Sequence, residues 1–373
     1  MAHRAIASVN VAAIERNTAL MRRAAGDAIL CAVVKANGYG HGMVESARAA
    51  LEGGAGWLAV ASAGEAVALR EAGIDVPVMV MGALTPDETA MAVGAGAELV
   101  AWTPAFVELV DSLGGAPLHV KYDTGMGRLG TRDPSEATEV AGLVDGSTAS
   151  RLSGLMTHFA TADDEGDPFF DEQLERFREW VGPLAERFPR AIVHAANSAA
   201  VLRDPACAFD MIRPGVALFG MDPFGVDPGA RGLEPAFELA SWVAVAKPCA
   251  AGQSVGYGRA FVADRDTVVG TVPIGYGDGW RRSLGNRSEA LVDSARRPVV
   301  GAVSMDNLAV DLGNSPGSGG EVVLLGTRGD ESVTAEEIAS ILGTINYEVT
   351  CAITARVRRR YHRDGVPLED GAA

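Results

Sequence analysis

Residues Ile29–Gly42 read ILCAVVKANGYGHG: six apolar residues run into a lysine, and three glycines, a tyrosine and a histidine follow within seven positions. A short, uniformly apolar run bounded by turn residues suits a strand buried on both faces. The same rhythm recurs downstream in WLAVAS (57–62), VPVMVM (76–81), ELVAW (98–102), PLHVKY (117–122), RLSGLMTH (151–158), AIVHAA (191–196) and MIRPGVALFG (211–220). Helix-like segments such as MVESARAALEGG, GEAVALREAG and PFFDEQLERFREWVGPLAERF lie between them, several closed by glycine as helix C-termini are. Apolar strands that alternate with amphipathic helices imply a parallel sheet covered by helices. The number of repeats favours an α/β fold with an N-terminal (β/α)8 TIM-type barrel, over residues 1–230, rather than an open doubly wound sheet.

After Arg231 the rhythm changes. ELASWVAVAKP, SVGYGRAF, TVVGTVPIGYGDG, PVVGAVSMDNLAVDL, EVVLLG and EVTCAITARV read as strands with turn glycines. TAEEIASILG (334–343) alone reads as a helix, with Thr334 and Glu337 in capping-box spacing. Residues 231–373 are therefore expected to form a mostly-β domain, with SPGSGG (315–320) as a surface loop.

The chain has 373 residues, 48% hydrophobic and 21% charged, with a net charge of −16. An acidic surface of this kind repels nucleic acid and anionic membranes, so neither is an expected partner. RVRRR (356–360) is the one basic cluster and reads as the solvated face of a strand. The four cysteines (Cys31, Cys207, Cys249, Cys351) are scattered, which suits a reducing compartment. With no signal-peptide pattern and no apolar run near membrane-span length, the expected location is the cytoplasm. The six histidines form no HxxH or HExxH pattern, so no protein-built metal site is expected.

Polar residues gather where the barrel strands end. Lys35 ends the first strand, Lys121 lies at the end of the fifth, and His158 ends the sixth. Asn197 and Ser198 follow the seventh, and Arg213 lies in the eighth ahead of Pro214–Gly215. The carboxyl ends of the strands form the face where barrels of this class carry their active sites. A lysine at the lip of a buried strand can lose its charge to desolvation and act as an amine nucleophile towards an aldehyde; it can also simply pair with a carboxylate. Gly38, Gly40 and Gly42 permit positive φ or close backbone approach. Tyr39 reads either as an anion ligand or as packing, and His41 as a loop histidine. HAANSAAVLRD (194–204) reads as a strand, an N-cap and a short helix, where Ser198 is a cap or an anion ligand. RPGV (213–216) offers the second half of a phosphate cradle. A nucleophilic lysine opposite such a cradle points to a phosphorylated aldehyde cofactor.

AVVKANGYGHG, KYDTGMGRLG, THFATAD, AANSAA, RPGVALFG, VGYGRAF, PIGYGDG, VSMDN and NYEVTC occur in the order seen in bacterial alanine racemases, and the chain resembles that family over residues 5–362. The resemblance implies a fold type III pyridoxal 5′-phosphate enzyme that works as a homodimer with shared active sites. It implies that Lys35 carries the cofactor and is one proton-transfer base, and that Tyr257, from the partner subunit, is the other. Tyr39, Ser198, the backbone of Gly215 and Val216, and Tyr347 resemble the phosphate ligands. Arg213 matches the arginine that faces the pyridine nitrogen, supported by His158 with Asn197 alongside. Lys121 matches a lysine that is often carbamylated, and Arg128 the arginine it positions near cofactor and substrate. Met305 and Asp306 match partner residues near the substrate carboxylate, and Tyr276 a tyrosine at the access channel. SVNV (8–11) stands where EIDL is common, and Ser304 and Asn307 stand where Cys and Gln are frequent. Three alternatives accompany the reading: a broader racemase taking serine, lysine or arginine, a fold type III D-amino-acid decarboxylase, and a non-catalytic cofactor carrier. Decarboxylases are expected to set a carboxylate against the pyridine nitrogen, which Arg213 contradicts, and carriers resemble a lone barrel.

Overall fold

A computed structural model describes residues 3–314 and 319–368; residues 315–318 of the expected SPGSGG loop lie outside the described residues. The chain divides into two compact units. One is formed by Ile14–Gly38 with Met43–Leu218, and the other by Met1–Ala13, Tyr39–Gly42 and Phe219–Ala373.

The first unit is a parallel barrel. Its eight strands are Ile29–Val33, Trp57–Val60, Val78–Val80, Glu98–Ala101, Pro117–Lys121, Arg151–Met156, Ile192–His194 and Met211–Ile212. Each of the first seven pairs in parallel with its neighbour in sequence, and the last pairs back onto the first through Ile29↔Met211 and Leu30↔Ile212. The remaining seam has no ladder. It is bridged by Asp210 N–H to Val193 O (3.0 Å) and Arg213 N–H to Ala196 O (2.8 Å), with the Asp210 carboxylate accepting from Val193 N–H (2.8 Å).

The intervening helices start where side-chain caps satisfy their first backbone N–H groups. Ser62, Thr85, Thr103 and Asp133 each accept from a backbone N–H two or three residues on. Leu58, Val78, Val80, Leu99 and Val120 are fully buried, and Cys31 is core as its apolar run implies. The barrel interior is not uniformly apolar: Glu98, His119, Lys121, His194 and Arg213 are also buried.

The second unit is built on an eleven-stranded mixed sheet. The N-terminal strand Ile6–Asn10 pairs antiparallel with Phe237–Trp242 and parallel with Arg358–Arg363. Thr334 caps the helix Ala335–Leu342 as its spacing predicts, accepting from Glu337 N–H at 3.1 Å. Two expectations are corrected here. EVTCAITARV (348–357), read as a strand, starts instead inside the helix Asn346–Cys351: Asn346, Val349 and Thr350 are buried at helical spacing, and the packed face outweighs the β-branched composition. RVRRR is not merely a solvated face. Arg356 pairs with Asp306 and lies 3.4 Å from Asp278, while Arg359 donates to the carbonyls of Gly40, Ile353, Thr354 and Val357.

Candidate active site

The chain does not loosen after Lys35, as a glycine-rich loop would. It makes one left-handed helical turn. Ala36, Asn37 and Gly38 have φ,ψ of (52°, 49°), (53°, 48°) and (62°, 46°), and Tyr39 has φ 52°. Left-handed backbone costs an L-residue about 1–2 kcal/mol, with Gly and Asn tolerating it best. Ala36 and Tyr39 therefore carry most of the strain, and local bonds offset it. Gly38 N–H donates to Val34 O (2.8 Å), and Met43 N–H donates to the Asn37 side chain (3.0 Å). Glu65 ties the first residue of the turn down: one carboxylate oxygen accepts from Ala36 N–H (2.7 Å) and the other from Ala61 N–H (2.8 Å). Lys35 itself is half-buried.

The barrel unit gathers four cations at this end. Lys121 is buried, and its amine is pushed down to about 8, first by burial and then by the charges of Arg213, Arg128 and Lys35, which Asp123 opposes. Asp123 also organises the loop after Lys121 by accepting from Gly125 N–H (3.1 Å) and Gly127 N–H (2.9 Å), and that loop leads to the exposed Arg128. Arg213 is 3% exposed and pushed down to about 10 by burial. It donates to His194 Nδ1 (2.7 Å) and to the carbonyls of Thr157 (2.8 Å) and Ala195 (2.9 Å), with His158 Nδ1 at 3.4 Å. Burial and the charge of Arg213 hold both His158 and His194 well below the usual histidine range, so both rings are neutral.

Beside them, Asn197 caps the helix Ser198–Arg203 through Ala200 N–H (2.9 Å). That cap leaves Ser198 for other work. Ser198 is 3% exposed, and its hydroxyl oxygen accepts from Gly215 N–H (3.0 Å) and Ala217 N–H (3.4 Å). With its oxygen accepting twice, the hydroxyl proton remains to donate. Val216 opens the 3-10 turn Val216–Phe219 directly after this contact. A phosphorylated aldehyde fits this donor set: a lysine amine, a surplus of cations and a hydroxyl donor set against backbone N–H groups.

In the other unit Tyr39 and Tyr347 come together, ring centroids 6.1 Å apart and edge-to-face, with Tyr39 also 5.0 Å from Phe219. Tyr39 is buried, and burial raises its hydroxyl above the usual tyrosine range. His41 lies in a turn, as expected of a loop histidine, yet it is fully buried against Phe219 and Phe237. A Cβ on Gly40 would collide with the Thr350 carbonyl and one on Gly42 with the Tyr361 hydroxyl, so those glycines serve close packing within the protein. Tyr257, Met305 and Tyr276 are exposed (72%, 53% and 42%), and Tyr257 borders a cleft of about 410 Å³ with Gly256, Ala302 and Asn307. Asp306 is anchored by Arg356, which keeps its carboxyl below the usual range.

Residues 9–223 match the family described as alanine racemase, N-terminal domain, and residues 236–361 match alanine racemase, C-terminal domain. The chain belongs to the alanine racemase family. The alanine racemase of Geobacillus stearothermophilus is 41% identical over 96% of this chain and 93% of its own length. The crystal structure of alanine racemase from E. faecalis superposes with a TM-score of 0.91 at 36% identity, covering 97% of this chain and 99% of that one. Alanine racemase from Bacillus anthracis, solved with bound L-Ala-P, gives 0.90 at 35% identity over 98% and 97%.

Family motifs accounted for Lys35, Lys121 and Arg213 but passed over Glu65, Glu98, His119 and His194. The last three had a signal: each is a polar residue inside a run otherwise read as buried strand. Glu65 had a weaker one, as the third residue of a Ser62 capping box.

Proposed function

We propose that the chain interconverts L-alanine and D-alanine with pyridoxal 5′-phosphate, as a homodimer in the cytoplasm, by a two-base mechanism. When bound, the cofactor supplies an aldehyde for covalent attachment and a ring into which negative charge at the substrate Cα can spread. Lys35 is assigned to hold the cofactor and to move the proton on one face of Cα. Racemisation returns a proton to the opposite face, which one positioned base does not reach. Tyr257 of a second copy of the chain is assigned to that face, and its exposure on the isolated chain suits the role.

Ser198, the Gly215 and Val216 backbone, Tyr39 and Tyr347 are assigned to the phosphate. Arg213 presents only donors, so it hydrogen-bonds the ring nitrogen without protonating it. This weakens the ring as an electron sink and disfavours transamination. His158 and Asn197 are assigned to support Arg213. The Lys121 amine is assigned to add CO₂, releasing a proton and becoming a carbamate whose negative charge holds Arg128 by a charge-assisted hydrogen bond. Arg128 is assigned to the cofactor's phenolic oxygen and to the substrate, the partner subunit's Met305 and Asp306 to the neighbourhood of the substrate carboxylate, and Tyr276 to the access channel. Cofactor binding is assigned to residues 1–230, a span that holds the barrel unit Ile14–Gly38 with Met43–Leu218, and residues 231–373 are assigned as the part that reaches the partner's site.

The observation that carries this reading is the cation cluster: Lys35, Arg128 and Arg213 all depress Lys121, against the opposing charge of Asp123, in a member of the alanine racemase family. The family assignment does not favour the decarboxylase, carrier or broad-specificity alternatives. No helix among the described residues is long and apolar enough to cross a membrane. The test is a panel of L-amino acids on cofactor-loaded protein, followed by circular dichroism of the substrate. Alanine is expected to lead the panel; equal rates for serine, lysine or arginine would overturn the alanine assignment, and absence of racemisation would overturn the whole reading.

A further inference from the structure

Arg213, His194, His119 and Glu98 form one unbroken hydrogen-bonded line through the barrel. Arg213 follows the short strand Met211–Ile212 and donates to His194 Nδ1 at 2.7 Å. His194 Nε2 lies 2.8 Å from His119 Nδ1, and His119 Nε2 lies 2.9 Å from the Glu98 carboxylate. Glu98 and Arg151 are the first residues of their strands, so the line runs from the carboxyl end of the barrel towards the amino end. There Ser153 and the exposed Arg151 also donate to Glu98. Glu98, His119, His194 and Arg213 are all nearly or fully buried. We propose that Glu98, His119 and His194 are positioning residues for Arg213, a directed chain that fixes how strongly its guanidinium donates to the ring nitrogen; this deepens the proposed function and rests on the assignment of Arg213 to that nitrogen.

The direction of the chain is forced. A guanidinium has five donors and no acceptor, so His194 Nδ1 must accept and carry no proton. A neutral imidazole then carries its proton on Nε2, which donates to His119 Nδ1. That atom accepts in turn, so the His119 proton sits on Nε2 and points at Glu98. The alternative, His119 as an imidazolium donating from Nδ1, would put the His194 proton on Nδ1 and face it against Arg213. Two donors at 2.7 Å repel, so this state is excluded. Burial and the charge of Arg213 act the same way by keeping His194 neutral. The rings cross at 85° with centroids 4.9 Å apart, and Trp57 stands edge-on to His119 at 5.8 Å, which holds both ring planes.

The carboxylate polarises the line. Burial alone would push Glu98 up, but the bonds from His119 and Ser153 and the charge of Arg151 oppose it, and three donors converging on its two oxygens suit the ionised carboxylate. An anion at the far end draws each ring proton towards itself and makes His194 Nδ1 a better acceptor. The guanidinium charge is then shared with the protein interior, and Arg213 donates less strongly to the ring nitrogen. The counter-charge stays two imidazoles away from that nitrogen, whereas a carboxylate beside it would favour its protonation.

Two measurements test this on the cofactor-loaded protein. The first is solid-state nitrogen NMR with ring-labelled histidine, which is tractable because the chain has six histidines. His119 and His194 are expected as neutral rings protonated at Nε2; either ring as an imidazolium, or protonated at Nδ1, overturns the directed chain. The second is Glu98→Gln, which keeps an acceptor for His119 and removes the charge. Pyruvate formed per racemisation turnover is expected to rise roughly threefold, from polarisation of about 10–30% per bond along the line. An unchanged ratio, with the expected tautomers present, would overturn the coupling to Arg213. A wild-type protein that fails to racemise alanine sinks the proposed function instead, and the tautomers remain measurable.

Discussion

Replacing Glu65 with alanine separates the strain of the left-handed turn from the chemistry of the lysine it follows. The two oxygens of Glu65 accept from Ala36 N–H and Ala61 N–H at 2.7 and 2.8 Å, and one also closes the capping box on Ser62. Charge-assisted bonds are worth about 1.5–3 kcal/mol when well buried, and at this half-buried position we take ~1 kcal/mol each. The turn they restrain holds Ala36 and Tyr39 in left-handed backbone at about 1–2 kcal/mol apiece. Removing ~2 kcal/mol of restraint lets the segment relax and lowers the fraction of chains competent to take up the cofactor. Apparent affinity falls in proportion to that fraction, so the expected loss is roughly tenfold to thirtyfold. The assay is titration of pyridoxal 5′-phosphate into cofactor-free protein, followed by visible absorbance. Glu65→Gln keeps one acceptor oxygen and should fall between wild type and alanine. If Glu65→Ala takes up cofactor with wild-type affinity, the turn is held by something other than Glu65 and the reasoning fails.

Tyr257→Phe should retain the cofactor's visible absorbance and lose racemisation by about 10²–10⁴-fold, the usual worth of a positioned acid–base group; retained activity would remove Tyr257 as the second base. Lys121 gives a pH test. Its folded value, about 8, lies below the ordinary lysine value of 10.5, so above about pH 8 the unfolded chain holds a proton the folded one has lost. Stability should therefore rise from pH 8 to 10.5 relative to Lys121→Met in CO₂-free buffer, by ~3 kcal/mol at most. The difference should shrink with bicarbonate, and thermal midpoints that track each other in both buffers would refute the depressed amine. Gly40→Ala combines positive φ with a collision against Thr350 O and should cost at least ~2 kcal/mol, read as a lower thermal midpoint; an unchanged midpoint would show that this segment adjusts freely.

The barrel was legible because parallel strands are buried on both faces. Each then reads as a continuous apolar block, and caps such as Ser62, Thr85 and Thr103 mark where the chain turns into helix. The β unit was less legible, since helix and strand share β-branched residues there. In NYEVTC the burial of Asn346, Val349 and Thr350 at helical spacing decided the matter, and burial is a tertiary fact. The N-terminal strand Ile6–Asn10 belongs with Phe237–Trp242 and Arg358–Arg363, a pairing between distant segments that local pattern does not encode.

For the site, sequence located residues and misjudged environments. A lysine at the end of an apolar strand suggested an amine stripped of solvent, yet Lys35 is half-buried and belongs to a strained turn. The buried amine is Lys121, depressed first by that burial and then by the charges of Arg213, Arg128 and Lys35, against Asp123. That difference changes the chemistry each lysine is suited to. Addition to CO₂ needs an uncharged amine, which burial and three neighbouring cations supply at Lys121 close to neutral pH. Lys35 owes its suitability first to position, at the lip of its strand and ahead of a turn whose handedness Glu65 helps to hold. The two lysines have the same side chain and end comparable apolar strands, so motif alone ranks them by family resemblance. What separates them physically is burial, partial for Lys35 and nearly complete for Lys121, and that burial exists only once the strands have closed into a barrel.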